Sequence, residues 1–205
     1  MVNVSQRCNL TCSYCYVNKG LFDYEERPIP RMQGETADQI VEKIFESFPG
    51  FETYGYHFYG GEPLMNFDAI RRIVAAAEAR AKATGTRADC HITTNGTLLS
   101  HDIADFMDRH HFTVYFSIDG DQANHDALRT YLNGEGSYRD VEQNLAYLRT
   151  KPGVHLIGSS VIRKGFQLSE VIGHLKEHGA RQCKAERVRL PDGDGLALIG
   201  EEHDT

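Results

Sequence analysis

The sequence has no apolar run approaching the length of a membrane span. Its first seven residues, Met-Val-Asn-Val-Ser-Gln-Arg, lack the charged start and the apolar stretch of a secretory signal. Positive charge is also in deficit. Lys and Arg number 22 against 29 Asp and Glu, a net of −7, which argues against a nucleic-acid partner because such partners need a basic face. A disulfide framework is missing too: the five cysteines are odd in number, and Cys8, Cys12 and Cys15 crowd together while Cys90 and Cys183 stand alone. These absences point to a reducing, cytoplasmic setting with neither membrane nor nucleic acid as partner. What is there is a chain of 205 residues, 40% apolar, enough for one core and free of the bias of disordered or low-complexity sequence.

Strand and helix patterns alternate along it. β-Branched or aromatic runs at Val2–Val4, Tyr54–Tyr59, His91–Thr94, Thr113–Ile118, His155–Val161 and Ala185–Leu190 predict six strands. Five helical segments lie between them. The first has Thr36 as N-cap with Gln39 completing a capping box, and a face of Ile40, Val41, Ile44, Phe45 and Phe48. The second spans about Phe67–Thr84 and stops at Gly85. The third follows Ser100 with Ile103, Phe106, Met107 and His110. The fourth follows Ser137 with Val141, Leu145 and Leu148, and the fifth holds Val171, Ile172 and Leu175 before Gly179. Strict alternation predicts a parallel α/β sheet with right-handed crossovers. An open doubly wound sheet and a six-unit partial barrel both satisfy it, and in either one the working loops lie at the C-terminal strand ends.

The segment Arg7-Cys8-Asn9-Leu10-Thr11-Cys12-Ser13-Tyr14-Cys15-Tyr16 comes directly after the first strand. Its spacing lets one loop aim three thiolates at a common centre. Zinc would want a fourth ligand at a second short spacing, and none follows. A [4Fe–4S] cubane with three cysteines would keep one iron without a protein ligand. Buried cysteines without metal are the bland alternative. The second strand ends in Tyr59-Gly60-Gly61-Glu62-Pro63, where two glycines permit close backbone approach to a ligand and Glu62 supplies an acceptor for an ammonium group. The third ends in Thr93-Thr94-Asn95-Gly96 and the fourth in Ser117-Ile118-Asp119-Gly120, both of which read as ordinary turn formers.

Together these motifs resemble the radical S-adenosylmethionine (radical SAM) enzymes, in the SPASM-type branch that matures peptides and proteins. The resemblance covers Val4 to about Leu190. It implies a (β/α)6 partial TIM barrel, with residues 1–190 as the core domain and 191–205 as the start of a C-terminal extension that is cut short. It implies that Cys8, Cys12 and Cys15 hold a [4Fe–4S] cluster. Gly60, Gly61 and Glu62 would bind the ammonium end of S-adenosylmethionine, Ser117 and Arg129 its carboxylate, and Tyr14 would lie near its adenine. The implied activity is cleavage of S-adenosylmethionine to a 5′-deoxyadenosyl radical for post-translational modification of a peptide or protein. Thioether cross-link formation is favoured, with formylglycine formation by an anaerobic sulfatase maturase as the alternative and a non-catalytic cluster- or metal-binding module as a reading of another class. A low-potential electron donor such as a flavodoxin or ferredoxin is implied as partner. Tyr16 either packs under the loop or joins Tyr14 in flanking the site, and the fifth strand, Leu156–Val161, is expected to serve packing, with contact to adenine or ribose as the alternative that the resemblance implies. Cys90 and Cys183 are expected in the core. His101, His110, His111, His174 and His178 are expected at the surface or at helix ends, without a role.

Overall fold

The computed structural model describes residues 1–15 and 31–187. Six strands form one sheet: β1 (Val2–Ser5), β2 (Thr53–Gly60), β3 (Arg87–Thr94), β4 (Thr113–Ser117), β5 (His155–Ile162) and β6 (Gln182–Arg187). Every neighbouring pair is parallel, and the spatial order β1-β2-β3-β4-β5-β6 is the chain order. That order settles the architecture. A doubly wound sheet reverses direction at a switch point so that helices cover both faces. Here no reversal occurs, so right-handed crossovers place every helix on one face, the arrangement of a partial barrel.

The helices are α1 (Gly34–Ser47), α2 (Phe67–Thr84), α3 (His101–Arg109), α4 (Gln122–Asp126), α5 (Tyr138–Leu148) and α6 (Leu168–Glu177). None of them is long and apolar enough to cross a membrane. The core fills the space between helices and sheet. Val114 and Phe116 on β4 are buried toward the helices and alternate with half-buried Thr113, Tyr115 and Ser117 on the opposite face. On α2 the residues Ile70, Ile73 and Val74 are fully buried, each contributing about 1.5–3 kcal/mol of apolar burial. The helix ends at Gly85, whose φ of +72° suits a residue without Cβ.

Several expectations are corrected. The capping box at Thr36 and Gln39 does not form: α1 begins at Gly34, with Gln33 as N-cap and no side-chain cap. The entry to α1 is fixed from outside, because Met32 N–H donates to the Val4 carbonyl at 3.0 Å and the Asn66 amide donates to the Met32 carbonyl at 3.0 Å. Phe48 is 60% exposed and not on the buried face. The sixth strand starts three residues earlier than predicted, at Gln182, since its pairing with β5 begins at Ile157. Its polar composition follows from its edge position, and residues 188–190 of the predicted strand lie outside the described residues. The short α4 and a 3-10 turn at Pro63–Asn66 were not predicted. His178 lies at a helix end as expected, at the C-terminus of α6, but is buried there, with Nε2 3.4 Å from the Tyr138 hydroxyl. Cys90 is buried, and Cys183 packs against the same core.

Candidate active site

The cysteine loop leaves β1 and is fastened along most of its length. Thr11 N–H donates to the Thr130 carbonyl at 2.8 Å, Ser13 N–H to the Leu128 carbonyl at 2.9 Å, and Leu10 forms an antiparallel bridge with Tyr131. The stretch after α4 thus serves as a rail for the loop. All three cysteines are free thiols; Cys8 is exposed, and Cys12 and Cys15 are partly so. The Asn95 side-chain amide donates to Cys8 Sγ at 3.7 Å and to Asn9 Oδ1 at 3.0 Å. Asn9 in turn donates to Thr97 Oγ1 at 2.8 Å. Although the residue as a whole is exposed, desolvation of the sulfur by the loop around it pushes the Cys8 thiol up to about 11. Cys12 is also raised by burial, with the Arg129 guanidinium pulling the other way. Among the described residues no three His, Cys, Asp or Glu side chains converge on a single metal ion. A cubane spreads its three thiolates over three irons, and three free thiols on one tethered loop supply that donor set.

At the end of β2 the glycines serve the chain itself. Gly60 has φ +153°, and a Cβ there would collide with the Ser5 carbonyl; a Cβ on Gly61 would lie 2.5 Å from the carbonyl oxygens of both Gln6 and Arg7. The absence of a Cβ thus admits the segment that leads into the cysteine loop. Gly61 N–H and Glu62 N–H donate to the Ser5 and Arg7 carbonyls at 2.9 and 2.8 Å. Glu62 is fully buried. Its Oε1 accepts from Leu64 N–H at 3.0 Å and Thr94 Oγ1–H at 2.8 Å, and its Oε2 accepts from Asn95 N–H at 2.7 Å. These bonds make Glu62 a tie between the ends of β2 and β3. Burial pushes its carboxyl up to about 7 against those donors.

Asp119 organises the opposite side. It is fully buried and accepts from Arg129 Nε–H at 2.7 Å, from the Tyr14 hydroxyl, from Ser160 Oγ–H at 3.2 Å and from Val161 N–H at 2.9 Å. Burial raises its carboxyl, but Arg129 and these donors outweigh burial and hold it below the usual range. The Arg129 guanidinium lies 5.4 Å from the Tyr14 ring centroid. Only Nε of Arg129 has a hydrogen-bond partner among the described residues, although its side chain is just 9% exposed.

Of the residues singled out from the sequence, Tyr14 and Arg129 are thus brought together through Asp119. Cys12 lies near enough to feel the Arg129 charge. Ser117 ends β4 beside Ser159, without a hydrogen bond to Arg129. The end of β5 meets Asp119 through Ser160 and Val161. Tyr16 lies outside the described residues. Sequence reasoning missed Asp119 and Asn95, which it took for turn formers. The signals for both were a place at a strand end one residue before glycine and membership of the motifs that carry the resemblance, neither of which assigns a role.

A sequence profile of the radical SAM superfamily matches residues 2–178. The chain is 33% identical over 159 residues to the serine-type anaerobic sulfatase-maturating enzyme of Bacteroides thetaiotaomicron, covering 76% of this chain and 37% of that protein. It is 26% identical over 172 residues to the radical SAM cyclopropyl synthase TigE of Paramaledivibacter caminithermalis, covering 80% and 35%. The chain spans little more than a third of the length of these two relatives. Among solved structures, native anSMEcpe with bound AdoMet and Cp18Cys peptide shares the fold, with a TM-score of 0.82 at 19% identity over 95% of this chain and 53% of that chain. The superfamily's cofactors are a [4Fe–4S] cluster and S-adenosylmethionine. The matched span runs from β1 through α6, and the chain belongs to the radical SAM superfamily of enzymes, related to its sulfatase-maturing and peptide-modifying members.

Proposed function

We propose that this chain is the catalytic barrel of an enzyme that modifies a peptide or protein by hydrogen abstraction. The observation that carries the reading is a nearly buried guanidinium, Arg129, held through Nε alone among the described residues and set beside a tethered loop of three free cysteines. Cys8, Cys12 and Cys15 hold the cluster, with Asn95 donating to the sulfur of Cys8. The terminal nitrogens of Arg129 grip the carboxylate of S-adenosylmethionine, and Ser117 at the end of β4 adds a hydroxyl. Gly60, Gly61 and Glu62 at the end of β2 receive the ammonium end. Tyr14, hydrogen-bonded to Asp119, is the flat surface beside the adenine. When bound, the two cofactors supply the radical chemistry, and a low-potential flavodoxin- or ferredoxin-like donor supplies the electron.

Thioether cross-link formation is the favoured modification. Formylglycine formation is a second reading, supported by the 33% identity to a sulfatase-maturating enzyme. Anaerobic reconstitution with iron and sulfide tests the proposal. The wild-type chain should turn brown and, with dithionite, convert S-adenosylmethionine to 5′-deoxyadenosine. Cys8→Ala, Cys12→Ala and Cys15→Ala should each lose both properties, while Cys90→Ser keeps them. A colourless protein that binds only zinc, or full cluster content in Cys12→Ala, refutes the assignment.

A further inference from the structure

We infer that Asp119 is the positioning residue of the cofactor site: it orients Arg129 for the carboxylate of S-adenosylmethionine and locks the cysteine loop to the ends of β4 and β5. The inference rests on the reading that Arg129 binds that carboxylate. One buried side chain receives donors from three separate segments: Tyr14 of the cysteine loop, Arg129 beyond α4, and Ser160 and Val161 of β5. Its two oxygens divide the work. Oδ2 faces Arg129 Nε and the Tyr14 hydroxyl, and Oδ1 faces Ser160 and the Val161 amide. Holding a guanidinium through Nε leaves the planar pair of terminal nitrogens, the fork that matches a carboxylate, without a hydrogen-bond partner among the described residues.

The backbone on both sides of this ion pair is held as well. Asp119 N–H donates to His125 Nδ1 at 3.3 Å, so the ring carries its proton on Nε2, which donates to Ser137 Oγ at 3.0 Å. Ser137 Oγ–H then donates to the carbonyl of Arg129 at 2.8 Å. His125 and Ser137 are themselves fully buried. The relay starts at the Asp119 amide and returns to the Arg129 carbonyl, so the two residues are joined by side chain and by backbone. This constrains the guanidinium in position and in rotation before any ligand arrives. Such preorganisation is what a ligand clamp needs and a surface ion pair lacks.

Asp119→Asn is nearly isosteric. With Oδ1 kept on the Val161 amide, the new NH2 opposes the Arg129 and Tyr14 donors. S-adenosylmethionine is titrated calorimetrically into the reconstituted wild type, Asp119→Asn, Arg129→Lys and the double variant. Iron and sulfide content and the electron paramagnetic resonance spectrum of the reduced cluster are read alongside. Asp119→Asn should keep its cluster and bind the cofactor about 10–100-fold more weakly, the loss typical of a partner that orients a ligating group. In the double variant the loss should not exceed that of Arg129→Lys alone, because both act through one guanidinium. A role independent of the guanidinium would give additive losses, and either additivity or wild-type affinity in Asp119→Asn overturns the inference. Should Asp119→Asn fail to retain its cluster, Asp119→Glu carries the test. It keeps the charge but moves the carboxylate by one methylene, and wild-type affinity at full cluster content would again overturn the inference. Wild-type affinity in Arg129→Ala refutes the underlying reading of the clamp, a result distinct from failure of Asp119 alone.

Discussion

Gly61→Ala is the smallest change that reaches the cysteine loop from outside it. The added methyl would lie 2.5 Å from the carbonyl oxygens of Gln6 and Arg7 and 2.7 Å from the Arg7 carbonyl carbon, all of them backbone atoms. No side chain can turn away, so the segment between β1 and Cys8 must shift by the better part of an ångström. That shift stretches two hydrogen bonds, Gly61 N–H to Ser5 and Glu62 N–H to Arg7, at about 1 kcal/mol each. Overpacking adds about 1–3 kcal/mol. The sum is about 3–5 kcal/mol, a fall in melting temperature of roughly 6–20 °C for a chain of this size. Gly173→Ala is the matched control: it lies within α6 with nothing inside 4 Å of its Cβ, and should be stabilising by about 0.5–1 kcal/mol. Urea unfolding of the two variants and the wild type, followed by circular dichroism, gives the comparison. Cluster content after reconstitution should fall in Gly61→Ala alone. If Gly61→Ala unfolds within about 0.5 kcal/mol of the wild type, the claim that these glycines serve the chain's own packing is wrong.

Other outcomes follow from the same structure. Burial, joined by the Arg129 charge, lowers His125 from 6.5 to about 4. Above pH 6.5 both folded and unfolded chains carry the neutral ring. Between 6.5 and 4 only the unfolded chain takes up the proton, so stability should fall by about 3 kcal/mol as pH drops through that window. Urea titrations at pH 7.0 and 4.5 should show this loss reduced in His125→Gln, and an equal loss in both proteins would refute it. Ser100 caps α3 by accepting from Ile103 N–H at 3.3 Å, so Ser100→Ala should cost about 1 kcal/mol in the same assay, with Ser100→Asp restoring the wild-type value. No change in Ser100→Ala would show that the α3 terminus is held by packing alone.

Much of the fold was legible because its signals are local. The 3.6-residue pattern and Gly85 gave α2 its full extent, and Ser100 marked the start of α3. The alternation of elements predicted the parallel sheet, while the choice of a barrel came from the resemblance carried by the cysteine loop. The false capping box at Thr36 shows where local signals stop: the contacts of Met32 with Val4 and Asn66 decide the start of α1. The site divides in the same way. Three cysteines in one loop declare themselves by spacing. Asp119 does not, since its partners Tyr14 and Ser160 are 105 and 41 residues distant and Asp-Gly is a common turn. Glu62 was visible as a strand-end carboxylate, but its burial was not, because that depends on Thr94 and Asn95 of another strand.

The rail that fastens the cysteine loop gives the chain an order of events. Strands that neighbour one another in space also follow one another in sequence, so the sheet can grow by adding each new unit to the last. The loop cannot be finished that way. Thr11 waits for Thr130, 119 residues later, and closing a loop of that length carries an entropic cost of about 4 kcal/mol beyond a constant term. Until β4 and the turn beyond α4 exist, the loop is held only at its start, by Glu62, Asn95 and Thr97, and the stretch that carries Cys12 and Cys15 has no rail. On that order the cysteine loop is fully fastened only once the chain has been built as far as Tyr131.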